Sequence, residues 1–165
     1  MRIIVAYDAL DEATKSVVKI MSDILKGGPW RLDSYHISEV GKQDMDLCRL
    51  LVIGGSTSIS MGLDGPVPVS GQMDTFLKSL KYVDATDKLG VAFGTHAQGE
   101  PDTEIAASHI QDELVEHGFQ LLEQGISFPI ERGKQLSNRD LKKCEDFANE
   151  IRRKFTGTRQ AQPTV

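Results

Sequence analysis

Three hydroxyl side chains follow two glycines directly after an apolar run at residues 50–53. The run is too short for a helix, and its composition predicts a buried parallel strand. Glycine lets the backbone turn sharply, and open α/β sheets bind ligands at the carboxyl ends of their strands. The sequence therefore predicts a ligand site formed by Gly55, Ser56, Thr57 and Ser58.

A second glycine-bounded loop is predicted after a later strand, at residues 94–99. It contains Gly94, Thr95 and His96 and ends at Gly99. A histidine at the carboxyl end of a strand can stack on a ligand ring or donate a hydrogen bond, although a solvated loop histidine is an equally good interpretation. The other three histidines occupy ordinary strand or helix positions and are interpreted as structural: His36, His109 and His117.

Acidic residues mark the loop after the first predicted strand. Asp8, Asp11 and Glu12 lie just before the first helix, and we interpret Asp8 or Asp11 as its N-cap, with Glu12 in the first turn. Two unit charges about 4 Å apart repel by about 4 kcal/mol at the effective dielectric of a protein surface, whereas a helix N-terminus stabilises an exposed anion by only about 0.3–1 kcal/mol. We therefore expect this loop to repel an anionic ligand, unless a cation lies between them or the carboxylates turn into solvent.

The elements that must position these loops alternate between strands and helices. Apolar runs predict the strands, and apolar residues at helical spacing predict the helices between them. Such alternation predicts a parallel sheet covered by helices on both faces. In the first half of the chain we predict a strand at 2–7, a helix at 11–26, an edge strand at 30–37, a short helix or loop at 38–46, a strand at 47–53 and a long loop at 54–71. These are followed by a helix at 71–82, a strand at 89–93, the loop at 94–99, and a helix that Pro101 and Asp102 open and Gly118 closes. An interrupted strand at 119–122 and 126–130 and a last helix from a capping box at 137–140 to Phe155 complete the order.

The composition indicates one globular domain. With 165 residues, 39% hydrophobic and 26% charged, the chain is long enough for a single domain at 1–155, followed by a flexible tail at 156–165. A net charge of −5 argues against nucleic acid and anionic membranes as partners. Cys48 and Cys144 lie far apart without metal-ligand spacing and are expected to be buried and reduced. The apolar run at the N-terminus is too short for a signal peptide or a membrane span, so we expect a cytoplasmic protein.

The order of elements and the positions of the loops resemble those of the flavodoxin-like family over residues 2–155. Residues 55–58 (Gly-Ser-Thr-Ser) are similar to the family's Gly-Ser-Pro-Thr-like loop, without the proline, and residues 76–80 (Phe-Leu-Lys-Ser-Leu) match its Phe-Leu-x-x-Leu helix. Residues 93–96 (Phe-Gly-Thr-His) are similar to its Phe-Gly loop, and residues 113–118 fit the helix and glycine that follow. The resemblance implies a three-layer α/β/α sandwich, a five-stranded parallel sheet in the order 2-1-3-4-5, and FMN as the cofactor.

The resemblance also implies which residues hold the cofactor and where this chain departs from the family. Flavodoxins wrap the FMN phosphate with a loop of the form Ser/Thr-x-Thr-Gly-Asn-Thr, and the matching residues 9–14 (Ala-Leu-Asp-Glu-Ala-Thr) keep only the last threonine. Flavodoxins also place aromatic rings against the flavin. The matching loops of this chain, residues 56–70 and 94–101, contain no Trp, Tyr or Phe. The sizeable side chains in these two loops that could contact a flavin are Ile59, Met61 and His96. The implied cofactor-binding residues, with no catalytic or metal-binding residue among them, are Ala9, Asp11, Thr14, Gly55, Ser56, Thr57, Ser58, Gly94, Thr95, His96 and Gly99.

Two functions remain open from the sequence. The first is an FMN-binding electron-transfer flavoprotein with an atypical phosphate site, which exchanges electrons with a redox partner protein. The second is a protein that keeps the fold without the cofactor and serves as an interaction or regulatory module, because a fold alone does not determine a function. A flavin absorbance band, or quenching of FMN fluorescence, distinguishes the two. The sequence does not specify the oligomeric state.

Two further functions are weaker alternatives. A hydrolase using Ser56 or Ser58 with His96 lacks the G-x-S-x-G spacing of a nucleophile elbow, and no acid is placed to orient the histidine. A lack of activity towards generic ester substrates would exclude this hydrolase. A response-regulator receiver domain needs an aspartate at the end of the third strand, where this chain has Gly54 and Gly55. We therefore reject the receiver domain.

Overall fold

Apolar segments from across the chain pair side by side in one parallel sheet, so the carboxyl ends of its strands lie at the same edge. The computed structural model describes residues 1–8, 11–58, 60–99, 105–131 and 135–160, apart from the side chains of residues 159 and 160. In chain order the elements are β1 (Arg2–Asp8), α1 (Glu12–Leu25), β2 (Arg31–His36), a 3₁₀ helix (Ile37–Glu39), α2 (Lys42–Leu47), β3 (Leu50–Ser56), β4 (Ser60–Gly62), β5 (Gly65–Val67), α3 (Gly71–Ser79), a second 3₁₀ helix (Leu80–Tyr82), β6 (Leu89–Ala97), α4 (Ile105–Glu116), β7 (Gln120–Leu121), β8 (Ile126–Ile130) and α5 (Asn138–Gln160).

The main sheet has the order β2-β1-β3-β6, and both β7 and β8 pair with the outer side of β6. All these pairings are parallel. Because β7 and β8 are two parts of one interrupted strand, the predicted order 2-1-3-4-5 is confirmed, together with the edge position of β2. Gly125 lies in the interruption, where a Cβ atom would come within 3.2 Å of the Ala92 carbonyl oxygen.

Alternation along the strands divides the core into two apolar layers. Val5, Val52 and Val91 point to one face, where α1 and α5 cover them. Ile4 and Ile53 point to the other face, which α3 and α4 cover. The predicted three-layer α/β/α sandwich is therefore confirmed, and the buried residues of the α5 stripe are Cys144, Phe147, Ala148, Ile151 and Phe155.

The fourth strand of the sheet, β6, is longer than its apolar run predicts. Residues 94–95 pair with residues 55–56 of β3 on one side and with residues 127–128 of β8 on the other. Partners on both sides satisfy the backbone groups of Gly94, a residue type that by itself disfavours a strand. The predicted loop at 94–99 is therefore corrected, since residues 94–97 are strand and residues 98–99 form a turn.

Three other boundaries differ from the sequence prediction. The long loop predicted at 54–71 contains the antiparallel hairpin β4–β5. The first residue of β5, Gly65, has a φ of 119°, a value that favours glycine. The third strand begins at Leu50, because the residues before it form α2. α5 begins at the predicted capping box, where Ser137 Oγ accepts the Asp140 N–H at 3.1 Å. It continues to Gln160, beyond the predicted end at Phe155.

The described residues contain neither a candidate membrane span nor a candidate metal site. No helix in this part of the chain combines the length and the apolar character needed to cross a membrane. No three His, Cys, Asp or Glu side chains among the same residues are grouped so that they could hold a metal ion.

The two cysteines are buried free thiols, as predicted. Burial raises the pKa of Cys48 and of Cys144 to about 12. In an unfolded chain a thiol has a pKa of about 8.5, so above that pH the unfolded state loses protons that the folded state keeps. We therefore expect the free energy of unfolding to fall by about 1.4 kcal/mol per pH unit for each thiol between about pH 9 and pH 11.

Denaturant unfolding at several pH values measures this slope. The double variant Cys48→Ala/Cys144→Ala is the control, since it keeps every other titrating group. We expect the variant to be less stable at neutral pH, because it contains cavities, but to lose less stability as the pH rises. Equal slopes in the two proteins would contradict the prediction.

Candidate functional site

Hydroxyl groups from three separate elements meet at the carboxyl edge of the sheet. Thr14 Oγ1, in the first turn of α1, lies 3.0 Å from Ser56 Oγ at the end of β3 and 2.7 Å from Thr95 Oγ1 on β6. Thr95 Oγ1 donates to Ser56 Oγ at 3.1 Å. Ser56 and Thr95 are paired residues of adjacent strands, so their side chains share the face that α1 covers. The structure therefore brings three of the predicted site residues together.

The carboxylate of Asp11 completes this group, which we call the Asp11 cluster (Asp11, Thr14, Ser56 and Thr95). Asp11 is the N-cap of α1, and its Oδ1 accepts the Thr14 backbone N–H at 2.7 Å. Its Oδ2 accepts hydrogen bonds from Ser56 Oγ at 2.9 Å and from Thr14 Oγ1 at 3.1 Å. The interpretation of Asp11 as the N-cap is confirmed. Glu12 lies in the first turn as predicted, exposed and 3.0 Å from Lys15 Nζ.

The hydroxyl hydrogens of the Asp11 cluster all have acceptors inside it. Each hydroxyl has one hydrogen to donate. Thr14 and Ser56 donate to Asp11 Oδ2, and Thr95 donates to Ser56 Oγ. A phosphate placed here would find no free hydroxyl donor and would be repelled by the carboxylate, by about 4 kcal/mol for each unit of charge at about 4 Å. The FMN phosphate therefore does not fit the cluster in this arrangement.

A second carboxylate, that of Asp8, is buried at the end of β1. Its Oδ2 accepts a hydrogen bond from Ser70 Oγ, the N-cap of α3. Its Oδ1 has no hydrogen-bond partner among the described residues, and it lies 3.6 Å from His36 Nε2, with which it forms an ion pair when the imidazole is protonated. The contact between Asp8 and Ser70 was not among the sequence predictions. The available signal was the serine directly before a predicted helix.

His96 lies on the opposite face of the sheet from the Asp11 cluster. Neighbouring residues of a strand alternate between the two faces, so His96 points away from the side that Thr95 shares with α1. Its Nδ1 lies 2.6 Å from Ser127 Oγ on β8. The structure therefore does not bring His96 and Ser56 together, which is a further argument against a serine hydrolase that uses this pair.

Gly55 and Gly94 allow helices to approach the sheet closely. A Cβ atom on Gly94 would lie 3.0 Å from the backbone nitrogen of Ala107 in α4, and one on Gly55 would lie 3.2 Å from Met73 Cε in α3. Both glycines are on the face away from the Asp11 cluster. The close packing of α3 and α4 is therefore enough to explain why both residues are glycine.

Three of the remaining predicted site residues lie in the segments that follow β3 and β6: Thr57, Ser58 and Gly99. The Thr57 N–H donates to the Thr95 carbonyl at 2.8 Å, and the Ser58 N–H donates to the Pro68 carbonyl at 3.1 Å. These bonds tie the segment after β3 to β6 and to the residues after β5. Gly99 has a φ of 82° in the turn after β6, and Ala9 lies outside the described residues.

Replacing Thr14 by valine is expected to lower the free energy of unfolding by about 1–3 kcal/mol. Valine keeps the shape of the side chain, but it leaves the half-buried Asp11 carboxylate and the buried Thr95 hydroxyl with one partner fewer. Urea denaturation measures the loss. Thr75→Val makes the same chemical change on the exposed surface of α3 and should shift stability by no more than about 0.5 kcal/mol. Equal losses in the two variants would show that the Asp11 cluster does not stabilise the fold.

Several solved structures are similar to this chain over most of its length. Flavodoxin 1 from Bacillus cereus superposes with a TM-score of 0.78 and 14% identity, covering 92% of this chain and 97% of that protein. Flavodoxin 2 from Bacillus cereus gives a TM-score of 0.75 and 20% identity, covering 94% of this chain and 100% of that protein. The flavodiiron core from Synechocystis sp. PCC6803 gives a TM-score of 0.75 and 11% identity, covering 96% of this chain and 36% of that protein.

These similarities concern the fold. No family model and no curated protein matches the sequence, and identities of 20% or less carry no information about individual site residues. The superpositions agree with the observed strand order and with the helices on both faces of the sheet. The chain therefore has a flavodoxin-like fold.

Proposed function

We propose that this chain is an electron-transfer flavoprotein of the flavodoxin type, which binds a flavin at the carboxyl edge of the sheet. One observation carries the proposal: β1 and β3 are adjacent at the position where the strand order reverses, and their carboxyl ends meet there. Doubly wound sheets bind their ligands in the crevice at this switch point. The flavodoxin-like fold supplies the class of ligand, since FMN is the cofactor that the family resemblance implies.

The part of the ligand that we propose to bind at this edge is the flavin ring. The described residues at the edge offer the imidazole of His96 and the thioether of Met61, which is 80% exposed on the hairpin β4–β5. Both kinds of group make favourable contacts with aromatic rings. A bound flavin supplies one- or two-electron transfer, and a redox partner protein in the cytoplasm completes the proposed exchange. The FMN phosphate is excluded from the proposal, because it does not fit the Asp11 cluster.

The absorbance spectrum of the purified protein, followed by fluorescence titration with FMN and with riboflavin, tests the proposal. We expect a flavin band or saturable quenching of flavin fluorescence. His96→Ala should weaken binding about 3–10-fold through loss of a ring contact. His117→Ala is the matched control, because this histidine follows α4 near the amino edge and lies 3.2 Å from Glu113. A protein without a flavin band and without quenching by either flavin would contradict the proposal.

A second candidate is an interaction or regulatory module without a cofactor. The Asp11 cluster favours it, because the end of α1 that faces the crevice is already satisfied by the chain's own side chains. The same titrations distinguish the two candidates. Absence of flavin binding in the wild type and in variants of Asp11 supports the module, whereas saturable binding to the wild type excludes it.

A further inference from the structure

We propose that Asp11 is a built-in substitute for a ligand phosphate, so that the crevice selects flavins without a phosphate, the riboflavin class, over FMN. The choice of ligand rests on the proposed function. The role of the carboxylate rests on the geometry of the Asp11 cluster alone and can be tested separately.

The Asp11 carboxylate lies where a helix N-terminus would hold an anion. A helix N-terminus binds anions because its first backbone N–H groups have no partner within the helix. Here Asp11 Oδ1 takes the Thr14 N–H at 2.7 Å, and Asp11 Oδ2 takes the Ser56 hydroxyl at 2.9 Å. The donors come from α1 and β3, as an external anion at the crevice would require. The Asp11 carboxylate thus fills a site that could otherwise bind an external anion.

The two threonines of the Asp11 cluster are buried. Thr14 is 0% exposed and Thr95 is 1% exposed, and their hydroxyls lie 2.7 Å apart. Side chains this buried cannot turn towards solvent to meet a second anion without leaving a polar group unpaired. A phosphate could therefore enter only if the Asp11 carboxylate left the cluster and ended the N-cap of α1.

No cation of the described part of the chain compensates the charge of Asp11. The Lys15 ammonium lies 3.0 Å from Glu12 on the exposed side of α1. Among the ion pairs between described residues, none involves Asp11. The buried carboxylate of Asp8 lies at the same edge but on the opposite face of the sheet, where it accepts the Ser70 hydroxyl, so it does not take part in the Asp11 cluster. A phosphate would meet the Asp11 carboxylate here, which no described side chain neutralises through an ion pair, whereas the uncharged ribityl chain of riboflavin would not be repelled.

The experiment compares the affinities of FMN and riboflavin for four proteins. The wild type should bind riboflavin at least about tenfold more tightly than FMN. Asp11→Asn keeps an N-cap acceptor and Asp11→Gly removes the side chain at a small cost to the helix. Both should reduce the preference by about tenfold. Glu12→Gln removes the same charge from the neighbouring exposed residue and should change the preference by less than about twofold.

Two results with flavins would overturn the inference. One is a wild type that binds FMN as tightly as riboflavin or more tightly. The other is an equal change of preference in Asp11→Asn and Glu12→Gln, which would reveal a general effect of charge and no specific role for the cluster.

If no protein of the set binds either flavin, the proposed function fails and inorganic phosphate decides the inference. Phosphate at constant ionic strength should raise the melting temperature of Asp11→Gly by about 2 °C or more and leave the wild type and Glu12→Gln unchanged. Such a rise would support the substitution of a phosphate by Asp11. The lack of any rise in Asp11→Gly would overturn it.

Discussion

Replacing Phe155 by alanine is expected to lower the free energy of unfolding by about 3–5 kcal/mol. The ring is fully buried in the layer between the sheet and the pair α1 and α5, and it contacts Trp30 edge to face with ring centroids 5.1 Å apart. Trp30 is itself fixed, because its Nε1 donates to the Leu25 carbonyl at 2.7 Å. The indole cannot move to fill the cavity without breaking that bond, so we expect a loss near the upper end. Urea denaturation measures it.

Gly157→Ala is the matched control in the same helix. A Cβ atom there has no neighbouring atom within 4 Å, and alanine favours a helix over glycine by about 0.8–1 kcal/mol. We expect this variant to be slightly more stable than the wild type, since α5 continues to Gln160. A frayed segment after Phe155 would leave Gly157→Ala without effect. A loss below about 1 kcal/mol in Phe155→Ala would show that the ring contributes far less than its burial indicates.

Replacing Gly54 by alanine is expected to destabilise the fold by about 3 kcal/mol, at the upper end of what overpacking costs. Gly54 and Phe93 are register partners on β3 and β6. The phenyl ring lies over the glycine, so a Cβ atom would come within 1.8 Å of Phe93 Cζ. The ring is fully buried and cannot swing into solvent. Either the ring must leave its position or the two strands must separate next to the crevice.

A double-mutant cycle assigns this loss to the ring. Phe93→Leu removes the atoms that clash, so adding Gly54→Ala to it should cost at least about 1 kcal/mol less than in the wild type. Gly71→Ala is the control at the start of α3, where a Cβ atom has no neighbour within 4 Å. Additive effects of the two substitutions, or an equal loss in Gly71→Ala, would contradict the assignment.

The central strands could be predicted from the sequence because their signal is local. Residues 3–6 and 50–53 are apolar at every position and are buried on both faces in the structure. The carboxyl half of β6 gave no such signal, since its residues become strand through pairing with β3 and β8. Pairing between strands that are distant in sequence is a tertiary effect, which a pattern along one segment does not contain.

The candidate site shows the same division. The N-cap role of Asp11 could be predicted, because it depends on the next three residues. Its contact with Ser56 could not, since the two residues are 45 positions apart. Thr14 and Thr95 are 81 positions apart, and their contact depends on how α1 crosses the sheet. The residues around the crevice could therefore be named from the sequence, whereas the hydrogen bonds that occupy their hydroxyl donors depend on the fold.

A methionine on the hairpin β4–β5 can report the approach of a ligand or a protein to the crevice. Peroxide oxidises exposed methionine thioethers to sulfoxides, and buried methionines are protected. Met61 is 80% exposed on the hairpin, whereas Met21 and Met73 are 0% and 1% exposed in the core. Mild oxidation should therefore mark Met61 well before the core methionines. A flavin or a protein seated against the hairpin would slow its oxidation, which peptide mass spectrometry reads without any label or engineered residue.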